Sequence, residues 1–318
     1  MRRRKLLPYL WMLLGTFAFA VMAVLINELK EEVPWQWMAL ARSSLAMIFG
    51  AGLVLAAGAR FAFWRPRILW MRSLAGSVSL LGGFYAMTHY DVSVVLTLTN
   101  MYPLWVAVLS WPLLGEMPST DTWIAAVVGV IGVTVLSLGS SPPDSAAPMA
   151  NAAAAAADYT ATIAVAAAIL SSLMSAVALI GLHKLHGVDS RAVVTHFSLV
   201  STLGCLGAIG LLALSQPGMK ALGLPATASL GTLLMLVCVG VAATVGQLLL
   251  TKAFTTGSPS RISVIGLSQT GFTMLFQWVV HRQQFSALTL AGMGLIVAPT
   301  AWVLLRGRAV GDEPDPPT

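Results

Sequence analysis

Arg42 and His196 are the two ionisable side chains that fall well inside long apolar stretches of this chain, whereas Asp and Glu occur only at the ends of such stretches or between them. An ionised group near the centre of a bilayer costs at least about 2.5 to 3.5 kcal/mol on insertion scales, so each is a candidate for function. A guanidinium offers a rigid fork of donors that suits a substrate carboxylate or phosphate; an imidazole offers a hydrogen-bonding lining group. Arg42 lies seven residues past Trp35, about 10 Å along a helix, and its stem snorkels over only part of that distance. It therefore either attracts an anionic group or pairs with helix carbonyls and holds the fold. His196 divides in the same way between lining a path and packing helices.

A second set of polar residues marks the middle of two other apolar stretches: Asn100, Tyr102 and Pro103 in one, Ser268, Gln269 and Thr270 in the other. Unpaired amides and hydroxyls are costly in hydrocarbon, so these must face the protein interior or a wet cavity. Pro103 also removes a helix hydrogen bond and can leave a carbonyl beside a path. Gln247 and Tyr85 are further path candidates, with interhelical hydrogen bonding as the alternative for each. The run SWPLLGE ends on Glu116, which is expected to end a helix and hydrogen-bond at the interface, not to carry protons.

Other chemistries find little support. The five histidines are dispersed, and HKLH (His183 to His186) has no acidic or cysteine partner nearby, so no metal or other cofactor is expected. Cys205 and Cys238 fall inside apolar runs without a CxxC pattern and are expected to be small buried side chains. No GxxxxGK phosphate loop marks a built-in ATPase. An intramembrane enzyme would need convergent nucleophile, base or metal ligands. The net charge of +6 sits at the ends of apolar stretches and not in a stripe, so nucleic acid is not an expected partner.

The elements that must hold these residues are helices in lipid. The chain is 57% hydrophobic and only 9% charged, against roughly 25% charge in a soluble domain. Long apolar runs of about 20 residues fit membrane helices, not the alternation of a barrel. Ten spans are expected, near 8–28, 35–57, 69–89, 92–114, 120–139, 160–182, 192–214, 229–250, 259–281 and 288–305. The first is too long for the apolar core of a cleaved leader and is expected to be retained. A low-complexity Pro/Ala/Ser linker, 140–158, separates residues 1–139 from 159–305, and 306–318 form a tail. With the N-terminus in the cytoplasm, 14 Lys and Arg flank the inner ends, Arg72 among them, and 3 flank the outer ends. Both termini are therefore expected in the cytoplasm of a multi-pass plasma (inner) membrane protein.

Sliding the chain by 167 residues matches Ala86 with Ala253, Thr88 with Thr255, Ser93 with Ser260 and Trp111 with Trp278. The same shift superposes spans three to five on eight to ten without a gap. Each half crosses five times, so the second enters from the opposite side. The expected fold class is all-α integral membrane, a 5+5 inverted-topology repeat with its substrate path at the repeat interface.

The run GGFYAMTHYDVSVVLTLTNMYPLWVAVLSWPLLGE (Gly82 to Glu116) resembles the third and fourth helices of the drug/metabolite transporter superfamily, EamA-like branch. It has that family's aromatic-Ala pair, small-residue turn, mid-helix Pro and terminal Gly-Glu. LLGTFAFAVMAVL in the first span and Arg42 in the second are similar to its pattern as well, and the resemblance runs over about 8–305. It implies a ten-helix carrier of small metabolites, often an exporter, with cytoplasmic ends. The second half departs from the pattern, with WVVHRQ in place of the Gly-Glu ending and Thr270 where the repeat mate has Pro103. The expected function is a secondary-active or facilitative transporter of a small organic metabolite, an amino acid or organic anion. A membrane scaffold or channel is the alternative, with an intramembrane enzyme behind it. No span holds a carboxylate, so exchange or coupling through His196 is expected in place of an acidic proton relay.

Overall fold

The computed structural model describes residues 2–30, 32–90, 92–140, 159–215, 229–282 and 286–309, and among them every regular element is a helix. The helices are α1 (Arg2–Leu29), α2 (Trp35–Ala56), α3 (Ile68–His89), α4 (Val92–Thr99), α5 (Tyr102–Leu114), α6 (Thr120–Ser140), α7 (Tyr159–His183), α8 (Ser190–Ser215), α9 (Leu230–Thr256), α10 (Pro259–Gly266), α11 (Ser268–His281) and α12 (Ala287–Ala309). Each expected stretch is helical, with two corrections: the fourth is broken into α4 and α5, and the ninth into α10 and α11. Six described segments are long and apolar enough, by length and composition, to cross a bilayer, and many of their large side chains, such as Leu211, Leu214 and Leu230, are exposed outward. The linker expected at 140–158 lies, apart from Ser140, outside the described residues.

Local chemistry sets the helix ends. Ser119, Ser229 and Ser286 cap α6, α9 and α12, their hydroxyls accepting the backbone N–H of Thr122, Thr232 and Thr289 at 3.4, 3.1 and 3.1 Å. Pro259 and Pro103 stand in the first turns of α10 and α5, where a missing N–H costs nothing. Gly115 ends α5 in the left-handed conformation, φ +73°, its N–H returning to the Trp111 carbonyl at 2.9 Å. Glu116 follows, half exposed and 3.8 Å from Nε2 of His183.

Four helix pairs make the most extensive contacts: α1 with α9, α3 with α7, α2 with α8 and α6 with α12. A serine ladder sews α3 to α7, with Ser79 2.6 Å from the Ser175 hydroxyl and Ser171 donating to the Ser79 carbonyl at 2.7 Å. Across α6 and α12 the backbones approach so closely that a Cβ at Gly292 would lie 2.5 Å from the Leu136 nitrogen. Gly132 likewise meets α12, whereas Gly207 and Gly210 have nothing within 4 Å of an added Cβ. Cys205 is buried as expected; Cys238 is exposed.

The largest apolar cluster fills the end of the bundle that carries the starts of α1 and α3 and the ends of α7 and α9, with Tyr9, Leu69, Leu182 and Phe254 at its centre. A smaller cluster of Phe19, Leu29, Val33 and Val239 joins the opposite ends of α1 and α9.

Candidate substrate cavity

Between the helix pairs lies a cavity of about 350 Å³, lined from α1, α2, α3, α7, α8, α9 and both broken spans. That volume suits a small ligand. Along α3 its lining runs from Arg72 to Met87, about 22 Å at 1.5 Å per residue. Among the described lining residues there are two cations, Arg42 and Arg72, and no carboxylate.

Arg72 stands at the deep end, 3% exposed. Its Nη2 donates to Oε1 of Gln247 on α9 at 3.2 Å, and its guanidinium carbon sits 4.2 Å from the centre of the Phe197 ring on α8. Gly76, one turn on, keeps that space open, since a Cβ there would run into the guanidinium and the Phe197 ring. Arg42, from α2, lines the same cavity, and Nε of each arginine is buried without a hydrogen-bond partner.

The two helix breaks meet against this cavity. In the fourth span the Asn100 amide and its backbone N–H both turn back to the Leu96 carbonyl, at 2.8 and 3.0 Å, and Met101 bonds only three residues back, to Leu98. Pro103, with no N–H, leaves the Thr99 carbonyl without its helical donor, and α5 starts afresh from Tyr102. In the ninth span Leu267 bonds back to Val264, not to Ser263. The freed Ser263 carbonyl receives the Tyr102 hydroxyl at 3.2 Å. That hydroxyl passes directly over Gly266, where a Cβ would collide with it. The backbone groups released by one break are thus satisfied by a side chain from the other.

Of the residues expected from sequence, Arg42, Tyr102, Gln247 and Gln269 line the cavity together. Tyr85, Asn100, Pro103, His196 and Thr270 stand outside its lining. Tyr85 stacks on His89, ring centroids 4.2 Å apart; Asn100 and Pro103 shape the break, bringing Thr99 and Tyr102 to the wall. Thr270 follows Gln269 in the first turn of α11 and donates its N–H to the Leu267 carbonyl. His196 is 2% exposed between α3 and α8, its Nδ1 2.8 Å from the Ser73 hydroxyl and its ring edge-on to Trp70 at 4.7 Å. Arg72 was expected among the flanking charges at the inner helix ends and instead points into the cavity. Its signal in the sequence is its position a full turn inside the apolar run that starts at Ile68, too far in for an end residue.

The EamA-like transporter family model matches residues 6–138 and again residues 162–305. The pseudopaline exporter CntI of Pseudomonas aeruginosa, from strains UCBPP-PA14 and PAO1, is 26% identical over 287 residues, which is 89% of this chain and 91% of the relative. A crystal structure of another protein superposes with a TM-score of 0.74 over 94% of this chain and 98% of that one, at 17% identity, a likeness of fold alone. An all-helical, apolar multi-pass bundle around an arginine-bearing cavity fits these relatives, and the chain belongs to the EamA-like transporter family.

Proposed function

We propose that the chain is a secondary or facilitative carrier that exports a small organic metabolite bearing a carboxylate, a zwitterion or an organic anion, across the plasma membrane. The observation that carries this reading is the cavity itself: a chamber lined by two arginines inside a lipid-facing bundle, bordered by two broken helices. Broken helices beside a midplane site are how many secondary transporters expose backbone groups without exposing them to lipid. The exporter relative favours outward movement.

The carrier is built as two inverted five-helix halves, 1–139 and 159–305. Several features support the duplication. Asn100 and Leu267, which mark the breaks, are 167 residues apart, as are the caps Ser119 and Ser286 with Thr122 and Thr289. Arg282 closes α11 in the left-handed conformation, φ 51°, at the register position of Gly115. Exchanging the halves turns the α1–α9 pair into the α7–α3 pair and leaves the α2–α8 and α6–α12 pairs in place. With both termini in the cytoplasm, the large apolar cluster seals the cytoplasmic end and the cavity extends outward along α3. His196, packed against Ser73 and Trp70, supports the fold in this mechanism and carries no coupling proton.

The test is counterflow in proteoliposomes loaded in turn with amino acids, organic anions and drug cations. Saturable exchange of a carboxylate-bearing compound supports the carrier. A conductance that needs no substrate, or no flux for any class, refutes it.

A further inference from the structure

We infer that Arg42 and Arg72 form a paired receptor for a small dicarboxylate, one guanidinium for each carboxylate. The inference rests on the carrier reading and extends it to a substrate class. Two cations that line one cavity repel each other and are partly stripped of water, a cost that bound negative charge would offset. Among the described lining residues there is no Asp or Glu, and neither arginine has an acidic partner. Arg72 leans on a neutral amide and an aromatic face, which orient the guanidinium and leave its charge whole. Each arginine also keeps a buried Nε without a hydrogen-bond partner, so neither guanidinium is saturated by the described residues.

A single carboxylate would neutralise one guanidinium and leave the other buried and bare. The two arginines are carried on different helices, α2 and α3, and a small dicarboxylate can present one acidic group to each, with a doubly charged phosphate as the competing ligand. Gln269 and Ser175 add an amide and a hydroxyl to the same lining. Gln247 acts as a stand-in acceptor: it holds Arg72 in the empty cavity and yields to a carboxylate, which forms the stronger charge-assisted bond.

Thermal unfolding of the purified full-length chain in detergent at neutral pH tests this, with succinate and glutarate set against their half-amides succinamate and glutaramate, and against glycerol phosphate. The dicarboxylates should stabilise the chain at concentrations at least about tenfold lower than the half-amides. Arg42→Gln and Arg72→Gln should each erase that advantage, and Arg42→Lys and Arg72→Lys should restore part of it. Equal effects of dicarboxylates and half-amides, a stronger effect of glycerol phosphate, or a dicarboxylate advantage that survives both Gln variants would overturn the receptor. The ligand comparison on the unaltered chain needs no variant to fold. Proteoliposome exchange separates the two claims: transport of a zwitterion or monocarboxylate indifferent to dicarboxylates removes the receptor and keeps the carrier, while binding without exchange does the reverse.

Discussion

Arg72 has one neutral acceptor, one ring face, an unpartnered Nε and no acidic partner among the described residues, so its charge weighs against stability. Replacing a buried charge by an apolar side chain of similar length is often neutral or stabilising. Arg72→Met is therefore expected to leave the unfolding free energy unchanged or raise it by about 1 kcal/mol while abolishing transport; a loss of both together would make Arg72 a structural residue. His196 should behave in the opposite sense. His196→Asn gives up the Trp70 ring contact and shifts the Ser73 bond, which should lower stability by about 1 kcal/mol. Transport and its pH profile should stay intact, and a flattened pH profile would return the histidine to the mechanism. At this scale the sequence separated interior polar residues from lipid-facing ones, but it did not rank them. Arg42 and His196 look alike in a linear chain, each a few residues inside an apolar run. Which one meets a cavity depends on which neighbouring helix covers it, and that is set by tertiary packing.

At the scale of the helix, the breaks and the close crossings carry the argument. Tyr102 and Gly266 form one unit, the hydroxyl satisfying a carbonyl that a Cβ at Gly266 would force it to leave. Gly266→Ala should cost about 1–3 kcal/mol, as overpacking does. In a double-mutant cycle with Tyr102→Phe, the two costs should be non-additive by more than about 0.5 kcal/mol; additivity would separate the residues. The paired glycine predictions concern position. Gly292→Ala should destabilise by a similar amount because its Cβ meets the α6 backbone, whereas Gly210→Ala, with nothing within 4 Å, should be neutral or slightly stabilising. Thermal melts of the two variants side by side check this. Helix ends were legible to within a few residues because Pro, Gly and Ser-x-x-Thr signals punctuate the apolar runs. The second break was not, because the ninth span has no proline at it: Leu267 simply bonds three residues back, a change of backbone path that leaves no mark in the composition.

For the whole molecule, the proposed duplication draws support from positions 167 residues apart that include the caps Ser119 and Ser286 and the breaks at Asn100 and Leu267, places where backbone geometry restricts the residue. The cavity itself had no such mark in the chain, because its wall forms only when helices far apart in sequence pack together. Two polar contacts lie toward opposite ends of the bundle: Glu116 with His183 near the end that the large apolar cluster fills, and Glu32 with Thr232, at 2.7 Å, near the other. In a carrier these ends must open in turn. The most direct measurement places a single cysteine at the cavity wall, Ser175→Cys with Cys205 and Cys238 changed to Ala, and follows its labelling by a membrane-impermeant thiol reagent from each side. The carrier account predicts labelling from the outside in the absence of substrate and a shift toward the cytoplasmic side when a transported compound is supplied. Labelling confined to one side under every condition, or equal from both sides at once, would contradict it.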